Sequence, residues 1–170
     1  MGNVEKIVQI LKFAQKMEKQ GVNFYSHYRD KVKNESVKEL FDELVNIEQD
    51  HYNLLEKKLN ELDAKKDLEV ISWVIDEEHY VKSPKIFADN SILDDEYLYD
   101  LTVMRIAYLI ENDFAEFYKN AAKEVENEAV KSFLEGLAEW EEEHKDLFYG
   151  KYQEMLKGNW QDISSYLFSK

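Results

Sequence analysis

The sequence predicts an all-α protein: a four-helix bundle of two repeated helical hairpins, joined by one long crossover and followed by a short C-terminal helix. Three observations lead there. The 170 residues hold one Pro and five Gly, so few positions break a helix. Apolar residues recur with helical spacing through four long segments. The chain also matches itself when shifted by 93 residues, Glu18 falling on Glu111.

The first helix is expected from Val4 to Val32, on an apolar stripe of Val4, Ile7, Val8, Leu11, Ala14, Gly21, Val22, Tyr25 and Tyr28. Asn34 and Glu35 form the turn. Ser36-Val37-Lys38-Glu39 has the spacing of a capping box, in which a Ser hydroxyl and a Glu carboxylate satisfy free N–H groups. The second helix follows on Val37, Leu40, Phe41, Leu44, Ile47, Leu54, Leu55, Leu59 and Leu62.

From Asp63 to Leu93 the helical pattern fails, with Ser83, Pro84, Asp89, Asn90 and Ser91 as breakers. This stretch is read as the crossover, residues 63–93, with Leu68 to Ile75 apolar enough to pack on the bundle as a short helix. The third helix is expected from Asp94 to Val125, on Leu98, Leu101, Met104, Ala107, Ile110, Phe114, Phe117, Tyr118, Ala121 and Ala122. The fourth is expected from Glu128 to Leu156, with Gly158 as its stop. A separate short amphipathic helix is expected from Trp160, Ile163, Tyr166, Leu167 and Phe168.

The repeat shows which polar residues matter. Phe24-Tyr25 falls on Phe117-Tyr118, Asn34-Glu35 on Asn127-Glu128, Leu44 on Leu137, Glu48 on Glu141, and His51 on His144. No gap is needed over about 45 residues. The hairpin copies span about 4–62 and 94–157 of a single domain. Each carries a Glu, a Tyr two turns later, and a Glu-x-x-His on the partner helix. Positions i and i+3 share a helix face, so Glu48 points with His51 and Glu141 with His144. Glu18 and Glu48 are equally far from the first turn, as Glu111 and Glu141 are from the second, roughly 22 Å at about 1.5 Å per residue. All four glutamates therefore fit one layer at mid-bundle, the arrangement of di-metal carboxylate bundles.

Four carboxylates in an apolar layer cannot all stay ionised without compensation. Two divalent cations would balance them. Carboxylates with a few imidazoles suit iron, or manganese and mixed pairs, better than a closed zinc site. Two metals about 3.5–4 Å apart can engage both oxygens of a bridging substrate. Tyr25 and Tyr118 lie on the glutamate stripe, where each hydroxyl can bond a ligating carboxylate. His27 and His79 have no repeat partner and are read as ordinary surface or crossover residues. Asp76-x-x-His79 imitates the spacing outside the helix pattern. Trp73 and Trp140 are read as packing.

Composition excludes several alternatives. With no cysteine there is no disulfide, thiolate catalysis, iron–sulfur cluster or zinc ribbon. A net charge of −14 repels phosphate backbones, so no nucleic-acid partner is expected. No run of about 18 apolar residues spans a membrane, and neither a signal peptide nor a myristoylation pattern opens the chain. A soluble, cytoplasmic protein is expected.

At Glu18 with Phe24-Tyr25, Glu48-x-x-His51, Glu111 with Phe117-Tyr118, and Glu141-x-x-His144, the chain resembles the rubrerythrin-like branch of the ferritin-like superfamily. The resemblance implies a di-iron site, with Glu48 and Glu141 bridging the metals, Glu18 and Glu111 as terminal ligands, and one iron on each of His51 and His144. It implies reduction of hydrogen peroxide or dioxygen. Many members of that family pair bundles into dimers, a role the Trp160–Phe168 tail would fit. Two departures stand out. Rubrerythrins proper carry a cysteine-ligated rubredoxin domain, so here electrons must come from a separate donor protein. They also carry an extra ligating Glu one turn after the first Glu of the third helix, where this chain has Phe114. Two other readings fit the same residues: iron oxidation and storage, and a non-catalytic metal-binding bundle.

Overall fold

A computed structural model describes residues 3–65, 67–75 and 95–168, with side chains as far as Gly158. Four helices build a bundle: α1 (Asn3–Arg29), α2 (Glu35–Lys65), α3 (Asp95–Lys123) and α4 (Glu128–Phe168). α1 packs along α2 and α3 along α4, the two hairpins that the repeat predicts. No helix among the described residues is long and apolar enough to cross a membrane.

The hairpin turns close on asparagine rather than serine. The Asn34 side-chain oxygen accepts from Val37 N at 3.1 Å, and Asn127 accepts from Val130 N at 3.0 Å. Ser36, expected as the cap, lies inside the first turn of α2 and donates to Asn34 instead. Asn and Ser cap about equally well, and the one standing just outside the helix takes the role. Asp100 buttresses the first turn from α3, accepting from Lys33 N at 2.8 Å and Asn34 N at 2.7 Å.

Gly158 does not stop α4. The helix runs on to Phe168, so the expected separate C-terminal helix is its continuation. A helical Gly costs about 1 kcal/mol relative to Ala, too little to end a helix when no Pro follows it.

Of the crossover, residues 67–75 are described. Asp67 caps a single 3-10 turn, Leu68–Val70, by accepting from Glu69 N at 3.0 Å. Ile71 and Trp73 bury themselves, and Trp73 donates to Leu68 O at 3.2 Å. Lys58 of α2 donates to Ser72 O and lies over the Trp73 ring. Gly136 of α4 makes room for Ile75, whose Cδ1 lies 2.7 Å from where a Cβ would stand. Asp76 and His79 lie outside the described residues.

Two apolar clusters fill the bundle. One joins Ile7, Leu11, Leu55 and Leu62, at the open end of the first hairpin, to Ala122, Val130 and Phe133 at the turn of the second. The other joins Val32, Val37 and Phe41, at the first turn, to Met104, Phe148 and Met155 at the open end of the second hairpin. The hairpins therefore lie head to tail, and a polar layer separates the clusters.

Candidate metal centre

That layer holds Glu18, Glu48, His51, Glu111, Glu141 and His144. The four glutamates are fully buried and the two histidines 1% exposed. The helices force this placement: each residue shares the stripe of its apolar neighbours, so packing that stripe carries the carboxylates inward.

The six residues form two overlapping groups. Glu18, Glu48, His51 and Glu141 face one another with ligand atoms within 4.8 Å, and so do Glu48, Glu111, Glu141 and His144. Glu48 and Glu141 belong to both. Glu48 sends Oε2 to within 3.6 Å of His51 Nδ1 and Oε1 to within 3.5 Å of His144 Nδ1. Glu141 sends Oε1 to 3.1 Å from His51 Nδ1 and Oε2 to 3.2 Å from His144 Nδ1. Glu18 lies 3.5 Å from His51 Nδ1 only, and Glu111 lies 3.1 Å from His144 Nδ1 only. The imidazole rings stand nearly parallel, 5.7 Å apart.

The electrostatics are those of a crowded, dry site. Burial, then repulsion from Glu141 and Glu48, pushes Glu18 well above the usual carboxylate range, and burial with Glu48 does the same to Glu111. Burial also acts on Glu48 and Glu141, but the two imidazoles outweigh it and hold both below that range. His51 and His144 are raised well above the usual imidazole value: burial opposes their charge, and the carboxylates around them prevail. Without metal, these directions favour protons on Glu18, Glu111 and the two imidazoles and ionisation of Glu48 and Glu141.

The layer leaves buried atoms unsatisfied. Among the described residues, Glu18 Oε2, both oxygens of Glu48, Glu141 Oε1 and both nitrogens of His51 are buried without an aligned hydrogen bond. Buried polar atoms of this kind are costly and rare. Their ligand atoms converge on two points, and two cations would satisfy them, so the donor set fits a metal-binding site.

Both tyrosines reach this layer, each from the opposite hairpin. Tyr25 donates to Glu111 Oε1 and Tyr118 to Glu18 Oε1, which leaves each Oε2 facing a histidine. Burial and the nearby carboxylates raise both phenols well above their usual value, so they remain donors. His27 is exposed and pairs with Lys31 at 2.6 Å.

The surroundings are less symmetric than the ligands. Trp140, read from sequence as packing alone, stacks on His51 at 4.8 Å and 12°. Its repeat counterpart is Ile47, so the match between the halves fails there. It fails again at Gly21 and Phe114. A Cβ on Gly21 would lie 3.3 Å from the Phe114 ring and 3.4 Å from Glu48 Cγ.

Comparison with known proteins agrees with this architecture. The family model described as rubrerythrin matches residues 9–152. A solved structure of a hypothetical protein from Pyrococcus furiosus is similar at TM-score 0.66 and 25% identity, covering 90% of this chain and 92% of that one. No protein of curated function matches.

Proposed function

The chain belongs to the rubrerythrin family, and from that premise we propose that it is a di-iron carboxylate oxidoreductase. It would reduce hydrogen peroxide or dioxygen with electrons from a separate donor protein. The observation that carries this reading is the pair Glu48 and Glu141, each turning one oxygen to each histidine inside a sealed layer. A structural site for one cation needs no such pair.

In this reading Glu48 and Glu141 would hold both metals. Glu18 with His51 completes one half, and Glu111 with His144 the other. Two ferrous ions, when bound, supply the two electrons that break the peroxide O–O bond. The rest is the work of the chain. Tyr25 and Tyr118 keep the outer oxygens of Glu111 and Glu18 occupied, so the inner oxygens stay turned inward. The two apolar clusters exclude bulk water from both ends of the layer, which strengthens every charge interaction inside it. The sequence has no cysteine for a rubredoxin-type or iron–sulfur centre, so in this reading the electrons would come from a separate donor protein.

The test is metal content and visible absorption of iron-loaded protein before and after hydrogen peroxide. Two irons per chain, lost in Glu48→Ala and His144→Ala, are expected, with a rapid ferrous-to-ferric change on adding peroxide. A faster response to dioxygen, with iron released to solution or mineral, would move the reading to iron oxidation. Iron that never changes oxidation state would leave a non-catalytic metal-binding bundle.

A further inference from the structure

Phe114 occupies the place where the symmetry of the site breaks. It lies on α3 one turn beyond Glu111, as Gly21 lies on α1 one turn beyond Glu18. The repeat relates the Gly21 backbone to Glu48 as it relates the Phe114 backbone to Glu141. Gly21 stands directly over Glu48, since a Cβ there would be 3.4 Å from Glu48 Cγ and 3.6 Å from its Cδ. By the repeat, position 114 corresponds to the same place relative to Glu141. From there the Phe114 ring crosses to α1, bringing Cε2 within 3.3 Å of the Gly21 Cβ position. The ring thus spans the gap between the two helices, on the side of the layer where both bridging glutamates lie.

Gly21 is what admits the ring. A side chain at 21 would crowd the ring, and a small residue at 114 would leave the space beside Glu48 between α1 and α3 unfilled. With glycine at 21 and phenylalanine at 114, one rigid ring fills it. Phe114 is buried, only 6% exposed, and the glutamates beside it are fully covered. Phenylalanine carries no donor or acceptor, so this face adds no ligand and no proton path. It acts by size and polarity alone.

We propose that Phe114 is the roof of the candidate metal centre and the residue that limits its oxidant to hydrogen peroxide or a molecule of that size, excluding alkyl hydroperoxides. The proposal rests on the oxidoreductase reading above for the identity of the substrate, but not for the claim of restricted access. In either case the chemistry is the same: a hydroperoxide takes two electrons, one from each of two ferrous ions, and two protons. Its O–O bond breaks to leave water and either a second water or an alcohol. Selection therefore depends on entry, which is where a phenyl ring acts.

Three readouts on metal-loaded protein test this, with Phe114→Ala and the milder Phe114→Leu. The first is the rate of ferrous oxidation by hydrogen peroxide and by tert-butyl hydroperoxide under single-turnover conditions. F114A is expected to raise the rate with the bulky oxidant at least tenfold and to change the hydrogen peroxide rate less than threefold. The second is anion uptake by the cobalt(II)-loaded protein, followed by its visible spectrum: azide enters wild type, whereas acetate enters only the variants. The third is the rate of metal loss to excess EDTA, which the variants should accelerate. F114L should fall between wild type and F114A, and it keeps the test open if F114A does not fold. Wild type that accepts tert-butyl hydroperoxide as readily as hydrogen peroxide would overturn the proposal, as would variants with unchanged discrimination, anion uptake and chelation rate. Failure of the oxidoreductase reading looks different: neither peroxide oxidises the metal in any variant, while the cobalt and EDTA experiments still report access.

Discussion

Tyr25 on α1 donates to Glu111 on α3, and Tyr118 on α3 donates back to Glu18 on α1. Each hairpin therefore fixes a carboxylate that belongs to the other, and the layer is complete only when both are packed. Tyr25→Phe and Tyr118→Phe keep the ring volume and remove these bonds. Outer partners of ligating groups are typically worth 10–100-fold in metal affinity, so each change should weaken metal binding at least about 10-fold. Competitive metal titration checks it. Unchanged affinity in both variants would mean that the hydroxyls only fill space.

The protonation pattern fixes a pH dependence for the metal-free protein. Glu18 and Glu111 are raised above the ordinary 4.5, and His51 and His144 above the ordinary 6.5. The folded chain holds these protons more tightly than the unfolded chain. Their stabilising contribution is complete below 4.5 for the glutamates and below 6.5 for the histidines, and is lost as pH rises through the folded-state values. Glu48 and Glu141 are shifted down and act oppositely, contributing above 4.5 and losing that contribution as pH falls. Stability of the metal-free protein should therefore decline from pH 5 to pH 8, by up to about 1.4 kcal/mol per pH unit for each excess proton. Metal displaces these protons, so the rise in Tm on adding metal should grow over the same range. Thermal melts with and without chelator measure both trends. A metal-free Tm that climbs from pH 5 to 8 contradicts the pattern.

Glu18→Gln separates charge from shape. Burial and its carboxylate neighbours favour the protonated form of Glu18 in the metal-free layer, so glutamine is a close neutral mimic there. The metal-free Tm at pH 7 should move by no more than about 3 °C, a change of about 1 kcal/mol or less. Metal binding should suffer far more, falling from two ions per chain towards one. Full retention of two ions would remove Glu18 from the ligand set.

Asp100 has no repeat counterpart of its kind, since Ile7 stands at the matching position. Its carboxylate ties α3 to the turn between α1 and α2 through Lys33 N and Asn34 N. Burial pushes it above the usual aspartate value despite those two donors. Asp100→Ala strands both amides and should cost about 2–3 kcal/mol. That corresponds to a Tm lower by roughly 5–10 °C for a chain of this size. Asp100→Asn, which keeps an acceptor, should recover part of the loss. Metal stoichiometry should stay at the wild-type value in both, because the turn lies far from the layer.

What the sequence made legible was what the repeat conserves. Glu18 with Glu111, Glu48 with Glu141 and His51 with His144 recur because each half supplies the same donors to one layer, and the two hairpins followed from the same match. The residues that repetition could not reveal are those where it fails. Trp140 against Ile47 and Phe114 against Gly21 each act on the layer from one side only, and Asp100 against Ile7 braces only one turn. The direction of the tyrosine bonds was hidden as well. A periodic pattern places Tyr25 on the stripe of Glu18, but only the head-to-tail packing of the hairpins carries its hydroxyl to Glu111. At Gly158 a local signal was overruled, because a cost of about 1 kcal/mol cannot end a helix whose following residues continue it.

Gly21→Ala tests how tightly the asymmetric pair is fitted. In an isolated helix this change should gain up to about 1 kcal/mol. Here the new methyl meets the Phe114 ring at 3.3 Å, closer than ordinary contact, and packs against Glu48 Cγ at 3.4 Å, the near limit of ordinary contact. The ring can yield by tilting towards solvent, but Glu48 cannot retreat without turning an oxygen away from one of the histidines. Overpacking of this kind typically costs about 1–3 kcal/mol, enough to cancel the helix gain. The expected result is a metal-free Tm near that of wild type together with metal affinity lowered about 10-fold, the size of effect that disturbing a ligand's support produces. Combining Gly21→Ala with Phe114→Leu relieves the clash and should restore most of the affinity. If Gly21→Ala alone binds metal as wild type does, the layer is looser than this contact implies, and Glu48 is held by its histidine neighbours rather than by the wall above it.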